Sequence, residues 1–117
     1  MELIATVGAD KDSWGQVTGL INHEAWDKVI LVKNKSVSDF PKIEGAEEIP
    51  IDTTLPLLEL KAFLTERLKP CISAFDACVS LASGSGKEHM ALISALLAIP
   101  TGVRLVAFTK QGVEFVN

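Results

Sequence analysis

Residues 77–92, with the sequence ACVSLASGSGKEHMAL, decide how this chain folds. An apolar stretch leads into a turn of glycine, serine and lysine at residues 83–87, and a second apolar stretch follows. We predict a strand over residues 74–81 and a helix over about residues 87–99 that ends at Pro100. A strand that passes through a tight turn into a helix is the repeating unit of α/β proteins.

The alternation of strand and helix continues on both sides of this turn. Two more helices are predicted. One covers residues 13–24 with Ser13 as its N-cap, and one is capped by residues 52–54, has Pro56 in its first turn and ends before Pro70. The apolar runs that predict strands are residues 2–7, 29–32, 48–51 and 103–108, with a hairpin through residues 110–112 onto a last strand at residues 113–116.

The run Val29-Ile30-Leu31-Val32 is apolar without alternation, so both of its faces should be buried. Such strands are typical of parallel sheets covered on both sides. We therefore predict one α/β domain over residues 1–117, a three-layer Rossmann-like arrangement. Its mostly parallel sheet has helices on both faces and a C-terminal antiparallel hairpin strand.

Composition limits the classes of function. Hydrophobic residues make up 48% of the chain and charged residues 22%, which excludes a disordered protein. The net charge of −4 argues against binding extended nucleic acid, which needs a broad basic face. The mean hydropathy of +0.30 indicates a large core or an apolar surface covered by a partner.

A few sequence features indicate where the protein resides and whether it binds a metal. No run reaches the 18 or more apolar residues of a membrane span, and Glu2 follows Met1 without a leader, so we expect a cytoplasmic protein that does not enter membranes. Cys71 and Cys78 are expected to be reduced core residues. His23 and His89 have no further ligands at metal-binding spacing, so neither a metal site nor a cofactor is predicted.

Ligands of open α/β sheets bind beyond the carboxyl ends of the strands, where the chain order reverses. Two loops with suitable residues follow strands there, residues 8–13 and 83–87, and they would be neighbours if the first and fourth strands pair. Glycine-rich turns and helix N-termini present amide donors to anions. The second loop is not a P-loop, because Leu81 and Glu88 stand where that motif needs glycine and serine or threonine. A glycine turn required only for its geometry is the alternative.

Other polar residues near these loops are weaker candidates. His89 and Trp14 could face a ligand, but packing against the core is favoured for both. The residues Asp52-Thr53-Thr54 are interpreted as a cap, and Lys110 as a solvated hairpin residue. Asp10 and Asp12 would repel phosphate, so a role beside an anion would involve ribose or base.

The spacing of these segments resembles the CRISPR-associated Rossmann-fold (CARF) domain over nearly the whole chain. The first strand with its small polar loop, residues 7–12, is similar to the first motif of that family. The nearer match is residues 79–92, where a strand, a Ser/Thr-Gly-Gly-x-Lys-type turn and a very apolar helix follow one another. Here Ser85 splits the usual glycine pair. The strand and hairpin of residues 103–116 are also similar.

The resemblance implies a homodimer that senses a cyclic oligoadenylate in a symmetric pocket, as part of CRISPR-type antiviral defence. The residues that would line the pocket are Gly8, Ala9, Asp10, Lys11, Ser83, Gly84, Ser85, Gly86 and Lys87. Some stand-alone relatives cleave the ring that they bind, and Lys87 would then be the candidate catalytic residue. A dimerisation or interaction domain without a nucleotide ligand is the third alternative. The sequence does not fix the ring size or whether an effector domain accompanies this one.

Overall fold

The computed structural model describes residues 1–73 and 75–117; Ala74, where we predicted the fourth strand to begin, lies outside this range. The elements alternate as the sequence predicts. In chain order they are β1 (Glu2–Val7), a 3₁₀ turn (Lys11–Ser13), α1 (Trp14–Asn22), β2 (Lys28–Asn34), β3 (Glu47–Ile51), α2 (Leu57–Leu68), β4 (Asp76–Ser80), α3 (Gly86–Ala98), β5 (Gly102–Thr109) and β6 (Gly112–Phe115).

The strands form one sheet in the order β3-β2-β1-β4-β5-β6. The first five strands in this order pair in parallel, and β6 pairs antiparallel with β5. This confirms the predicted mostly parallel α/β sheet with its C-terminal hairpin. Pro50, which has no amide hydrogen to donate, lies in the edge strand β3, where prolines of sheets are tolerated.

Alternate side chains of the central strand β1 enter two different hydrophobic clusters. Ile4 packs in a cluster with the buried leucines of α2 and α3, whereas Leu3 and Ala5 pack in a cluster with Val17 and Leu20 of α1. Successive side chains of a strand point to opposite faces of the sheet. Apolar side chains therefore bury both faces of β1, which explains why this strand needs no polar face.

Two of the predicted N-caps do not cap their helices through a side chain. Helix α2 begins at Leu57 with Pro56 as its N-cap; Asp52 instead accepts hydrogen bonds from the backbone and hydroxyl of Thr54 in a local turn. Ser13 does hold the N-cap position of α1, but its hydroxyl donates to the Asp10 carbonyl rather than accepting from the helix. In both cases the polar side chain bonds within the preceding turn, a local alternative to capping.

Helix α3 buries five residues but is not covered on every side. Met90 and Leu97 are exposed, with 58% and 71% of their surface accessible, and half-buried Ile93 lies between them. These residues share one face of the helix with Gly86 because they follow one another at spacings of three and four. We call Gly86, Met90, Ile93 and Leu97 the α3 stripe. With 13 residues, α3 is the longest helix in the described part of the chain. None of the helices there has the length and apolarity needed to cross a membrane.

Gly19 allows α1 to lie close to β5. A Cβ atom at this buried position would lie 2.4 Å from the ring of Phe108, whereas a Cβ at Gly15 on the same helix would meet nothing within 4 Å. We expect Gly19→Ala to lower the free energy of unfolding by about 1–3 kcal/mol through overpacking. Gly15→Ala should raise it by about 0.5–1 kcal/mol because alanine favours the helix. Urea denaturation of both variants tests this, and equal stabilities would contradict the close packing.

Candidate functional site

The two candidate loops meet at the carboxyl edge of the sheet. Strands β1 and β4 are parallel neighbours, from Glu2 opposite Ala77 to Ala5 opposite Ser80, so the loops that follow them leave the sheet side by side. Because β1 lies between β2 and β4, the chain order reverses at this point. The predicted adjacency of the loops is therefore confirmed, at the position where α/β sheets bind ligands.

Backbone packing brings the two loops into direct contact. A Cβ atom on Gly8 would lie 2.4 Å from the Cα atom of Gly84, so no larger residue fits there without moving a main chain. Gly84 itself has a φ of +101°, a conformation that favours glycine. Both glycines are thus required by geometry, one by contact and the other by its dihedral angle.

Buried hydrogen bonds join the loops beneath this contact. The Thr6 hydroxyl donates to the Ser83 carbonyl, and the Gly8 amide donates to the Ser83 hydroxyl at 2.9 Å. The Thr6 and Ser83 side chains are fully buried. His89 contacts the same Ser83 carbonyl through Nε2 at 2.7 Å, and Trp14 donates from Nε1 to the Gly8 carbonyl at 2.8 Å. His89 and Trp14 therefore hold the backbone of the two loops through hydrogen bonds to their carbonyl groups.

The carboxylate of Asp10 occupies the amide-rich turn of the second loop. Its Oδ1 accepts from the Gly84 amide at 3.0 Å and from the Ser83 hydroxyl at 3.2 Å. Burial alone would raise the pKa of Asp10, but hydrogen-bond donors on Gly84, Ser13 and Ser83 outweigh it, and the pKa lies below its usual value. The turn that we predicted as an anion site thus holds an anion of the chain itself.

Helix α3 begins with a capping box. The Ser85 hydroxyl accepts from the Glu88 amide, and Glu88 Oε1 accepts from the Ser85 amide, each at 3.2 Å. Glu88 is only 4% exposed, and its second oxygen, Oε2, is buried without a hydrogen-bond partner. The amides of residues 86 and 87 come before the first internal hydrogen bond of the helix, from His89 to the Ser85 carbonyl.

The lysines of the two loops are directed to other partners. Lys87 donates from Nζ to the Thr53 carbonyl at 2.7 Å, and Lys11 forms an ion pair with Asp39. The Lys11 ammonium also lies 5.7 Å from the centre of a Trp14 ring. Neither lysine lines the cleft between the loops.

That cleft has a volume of about 260 Å³ and is lined by Ala9, Asp10, Asn34, Gly84, Ser85 and Glu88. Two larger hollows, of about 470 and 350 Å³, lie beside the loop around Phe40 and near Lys69. Neither is lined by residues of a helix N-terminus, whereas the smaller cleft is lined by Ser85, the N-cap of α3, so the smaller cleft is the better candidate for an anionic ligand. Among the described residues, His, Cys, Asp and Glu form no cluster of three or more that could hold a metal.

The structure brings most of the predicted site residues together. Of the nine, Ala9, Asp10, Gly84 and Ser85 line the cleft, Gly8 and Ser83 join its walls from below, and Gly86 opens α3 with free space around it. The side chains of Lys11 and Lys87 point elsewhere.

Sequence reasoning missed two lining residues, Glu88 and Asn34. Glu88 had two signals. It completes the pattern Ser-x-x-Glu with Ser85, and it shares the core face of α3 with Ala91, Leu92 and Ala95. Asn34 had one signal, because it is a polar residue at the carboxyl end of an apolar strand.

Comparison with known proteins identifies no relative of this chain. No protein-family model, no curated protein and no solved structure matches it. Any conclusion on function therefore depends on the geometry of the two loops and on the chemistry of the residues there.

Substituting Gly8 tests the contact between the loops. We expect Gly8→Ala to lower the free energy of unfolding by about 1–3 kcal/mol, because its Cβ has no space beside the Gly84 backbone. Gly86→Ala is the matched control in the second loop, since a Cβ there meets nothing within 4 Å and the position is helical. Its stability should be unchanged or higher in the same urea titration. A Gly8→Ala variant as stable as Gly86→Ala would refute the close approach.

Proposed function

We propose that this chain is a sensor domain that binds a cyclic oligoadenylate between two copies of the cleft. The observation that supports it best is the junction of the β1 and β4 loops at the reversal of chain order, opening on the start of α3. Nucleotides bind at this place in α/β sheets because helix amides meet phosphate there and nearby acidic residues meet ribose.

The charged groups of the cleft favour different contacts for the phosphates of the ligand and for its ribose and adenine groups. The carboxyl groups of Asp10 and Glu88 repel phosphate but accept hydrogen bonds from ribose hydroxyls or adenine amino groups. Phosphate is better placed beside the amides of residues 86 and 87, at the positive end of the α3 dipole. Lys87 follows Gly86 at the start of α3, and its side chain, which lies outside the cleft, would have to turn toward such a phosphate. Its ammonium makes one hydrogen bond, to the Thr53 carbonyl, which leaves further donors for an anion.

The α3 stripe supports the homodimer. It begins at Gly86, inside the second loop, and its two exposed side chains present apolar surface to the outside. Burying this stripe against its copy in a second chain would remove that surface from water. It would also place two copies of the loop beside one two-fold axis. A ligand whose own ring has two-fold symmetry then makes the same contacts with each copy.

Calorimetric titration with cyclic tetraadenylate and cyclic hexaadenylate tests the proposal. We expect one of the two rings to bind with one ring per two chains and to raise the melting temperature, because it binds only the folded state. A mass spectrum of the ring after long incubation shows in the same sample whether it stays intact or is opened.

Two lysine variants serve as a matched pair in this titration. Lys87→Ala should weaken binding by about tenfold or more through loss of a charge-assisted contact to phosphate. Lys69→Ala, an exposed lysine that follows α2 at the opposite edge of the sheet, should bind as the unmodified chain does. Absence of heat and of any melting shift with both rings would refute the proposal. If Lys87→Ala and Lys69→Ala change the affinity for the ring equally, the contact between Lys87 and phosphate is excluded.

The dimer is tested by light scattering. We expect about twice the chain mass of 12.6 kDa at micromolar concentration. Leu97→Glu should give a monomer, because it places a charge in the apolar seam. Val116→Glu is the control, since Val116 is 67% exposed beyond β6 and outside the stripe. A monomeric unmodified chain, or a dimer that Leu97→Glu leaves intact, would exclude this seam.

A further inference from the structure

Glu88 holds a buried carboxyl oxygen that the fold does not use. Its Oε1 completes the capping box with Ser85, whereas Oε2 has no hydrogen-bond partner although only 4% of the residue is exposed. A buried polar atom without a partner destabilises the folded chain, so its presence calls for an explanation beyond capping. A glutamine at this position would complete the same box without the charge.

The position of Oε2 connects it with the cleft. Glu88 lines the cleft together with Asp10 and Gly84. An added Cβ at Gly84 would lie 3.1 Å from Oε2, so this buried oxygen lies directly against the glycine that lines the cleft. Ser80 Oγ is likewise buried without a partner, but Ser80 does not line the cleft.

The chemistry of the atom restricts what binds it. A carboxylate oxygen only accepts hydrogen bonds, so a partner must donate one. Two groups of a cyclic oligoadenylate donate, the 2′-hydroxyl of ribose and the 6-amino group of adenine, whereas the phosphates are anionic and are excluded. Asp10 Oδ1 already accepts from Gly84 and Ser83, whereas Glu88 Oε2 is, among the described residues that line the cleft, the buried side-chain oxygen without a partner.

We infer that Glu88 determines ligand specificity by accepting a hydrogen bond from a neutral donor of the bound ring, a ribose hydroxyl or an adenine amino group. This inference rests on the proposed function. The inference adds to that function a means of discriminating between nucleotides: an acceptor within the cleft acts together with the donors that hold phosphate.

The test compares the ring that binds with two analogues, one made of 2′-deoxyadenylate and one of inosinate, which lacks the 6-amino group. The unmodified chain should prefer the natural ring about tenfold or more over one analogue, and in Glu88→Gln that preference should fall to about threefold or less. The analogue that is rejected identifies the donor. Glu59→Gln is the matched control, because Glu59 occupies the same position in the first turn of α2 and is exposed.

A melting curve without ligand supplies the second measurement. Glu88→Gln should melt at the same or a higher temperature, because it keeps the capping box and removes a buried unpartnered carboxylate. A melting temperature lower by about 5 °C or more would overturn the inference, since Oε2 would then be needed by the fold.

The outcomes separate this inference from the proposed function. If the natural ring binds and Glu88→Gln keeps the full preference, or if the unmodified chain binds all three rings equally, the inference is wrong and the sensor function stands. If the natural ring does not bind, both are wrong.

Discussion

The close approach of Gly8 to Gly84 is the constraint on which the site depends. Parallel strands lie roughly 4.8 Å apart, and loops that leave two such strands normally diverge to make room for side chains. Here one glycine removes the side chain and the other adopts the positive φ that turns the chain back. The buried hydroxyls of Thr6 and Ser83 then join the loops. Because β1, β4 and the start of α3 are held by the same contacts, they form one rigid edge.

Several donors of this edge already bond to carboxylates of the chain itself. Asp10 accepts from Gly84 and Ser83, and Glu88 accepts from Ser85, so the turn carries the chain's own carboxylates where we predicted a site for a bound anion. An anion that entered this turn would exchange one set of hydrogen bonds for another, and the net gain of such an exchange is small. A ligand held by one copy would therefore bind weakly. A ring that contacts two copies makes its second set of contacts within one complex, where the effective concentration is high.

The order of elements and the meeting of the loops follow from local sequence because few physical rules govern them. The unbroken apolar run of β2 requires burial on both faces, and the reversal of chain order at β1 places the two glycine loops together. Side-chain capping is harder to predict, because Asp52 and Ser13 bond within their own turns and not to the amides of the helix that follows.

No local sequence pattern indicates the direction in which a long side chain points. Lys87 follows the turn that resembles an anion site, yet its ammonium reaches the Thr53 carbonyl, which lies 34 positions earlier in the chain. That contact depends on where α2 and its preceding loop pack, so no local pattern predicts it. Glu88 differs, since a glutamate on the core face of an apolar helix conflicts with its surroundings. Such local conflicts concentrate at functional sites, and this one was visible in the sequence.

Helix α3 links the two halves of the proposed function. Its inner face carries Glu88 to the cleft, and its outer face carries Met90 and Leu97, whose apolar surface is open to a second chain. Because one helix holds both faces, a shift of the proposed seam would move the start of the helix and with it the cleft. Linkage then requires the two equilibria to depend on each other: a ring that contacts both copies stabilises the dimer by the same free energy by which the dimer favours the ring. In a chain with a net charge of −4, the proposed coupling would supply the binding free energy that charge attraction does not.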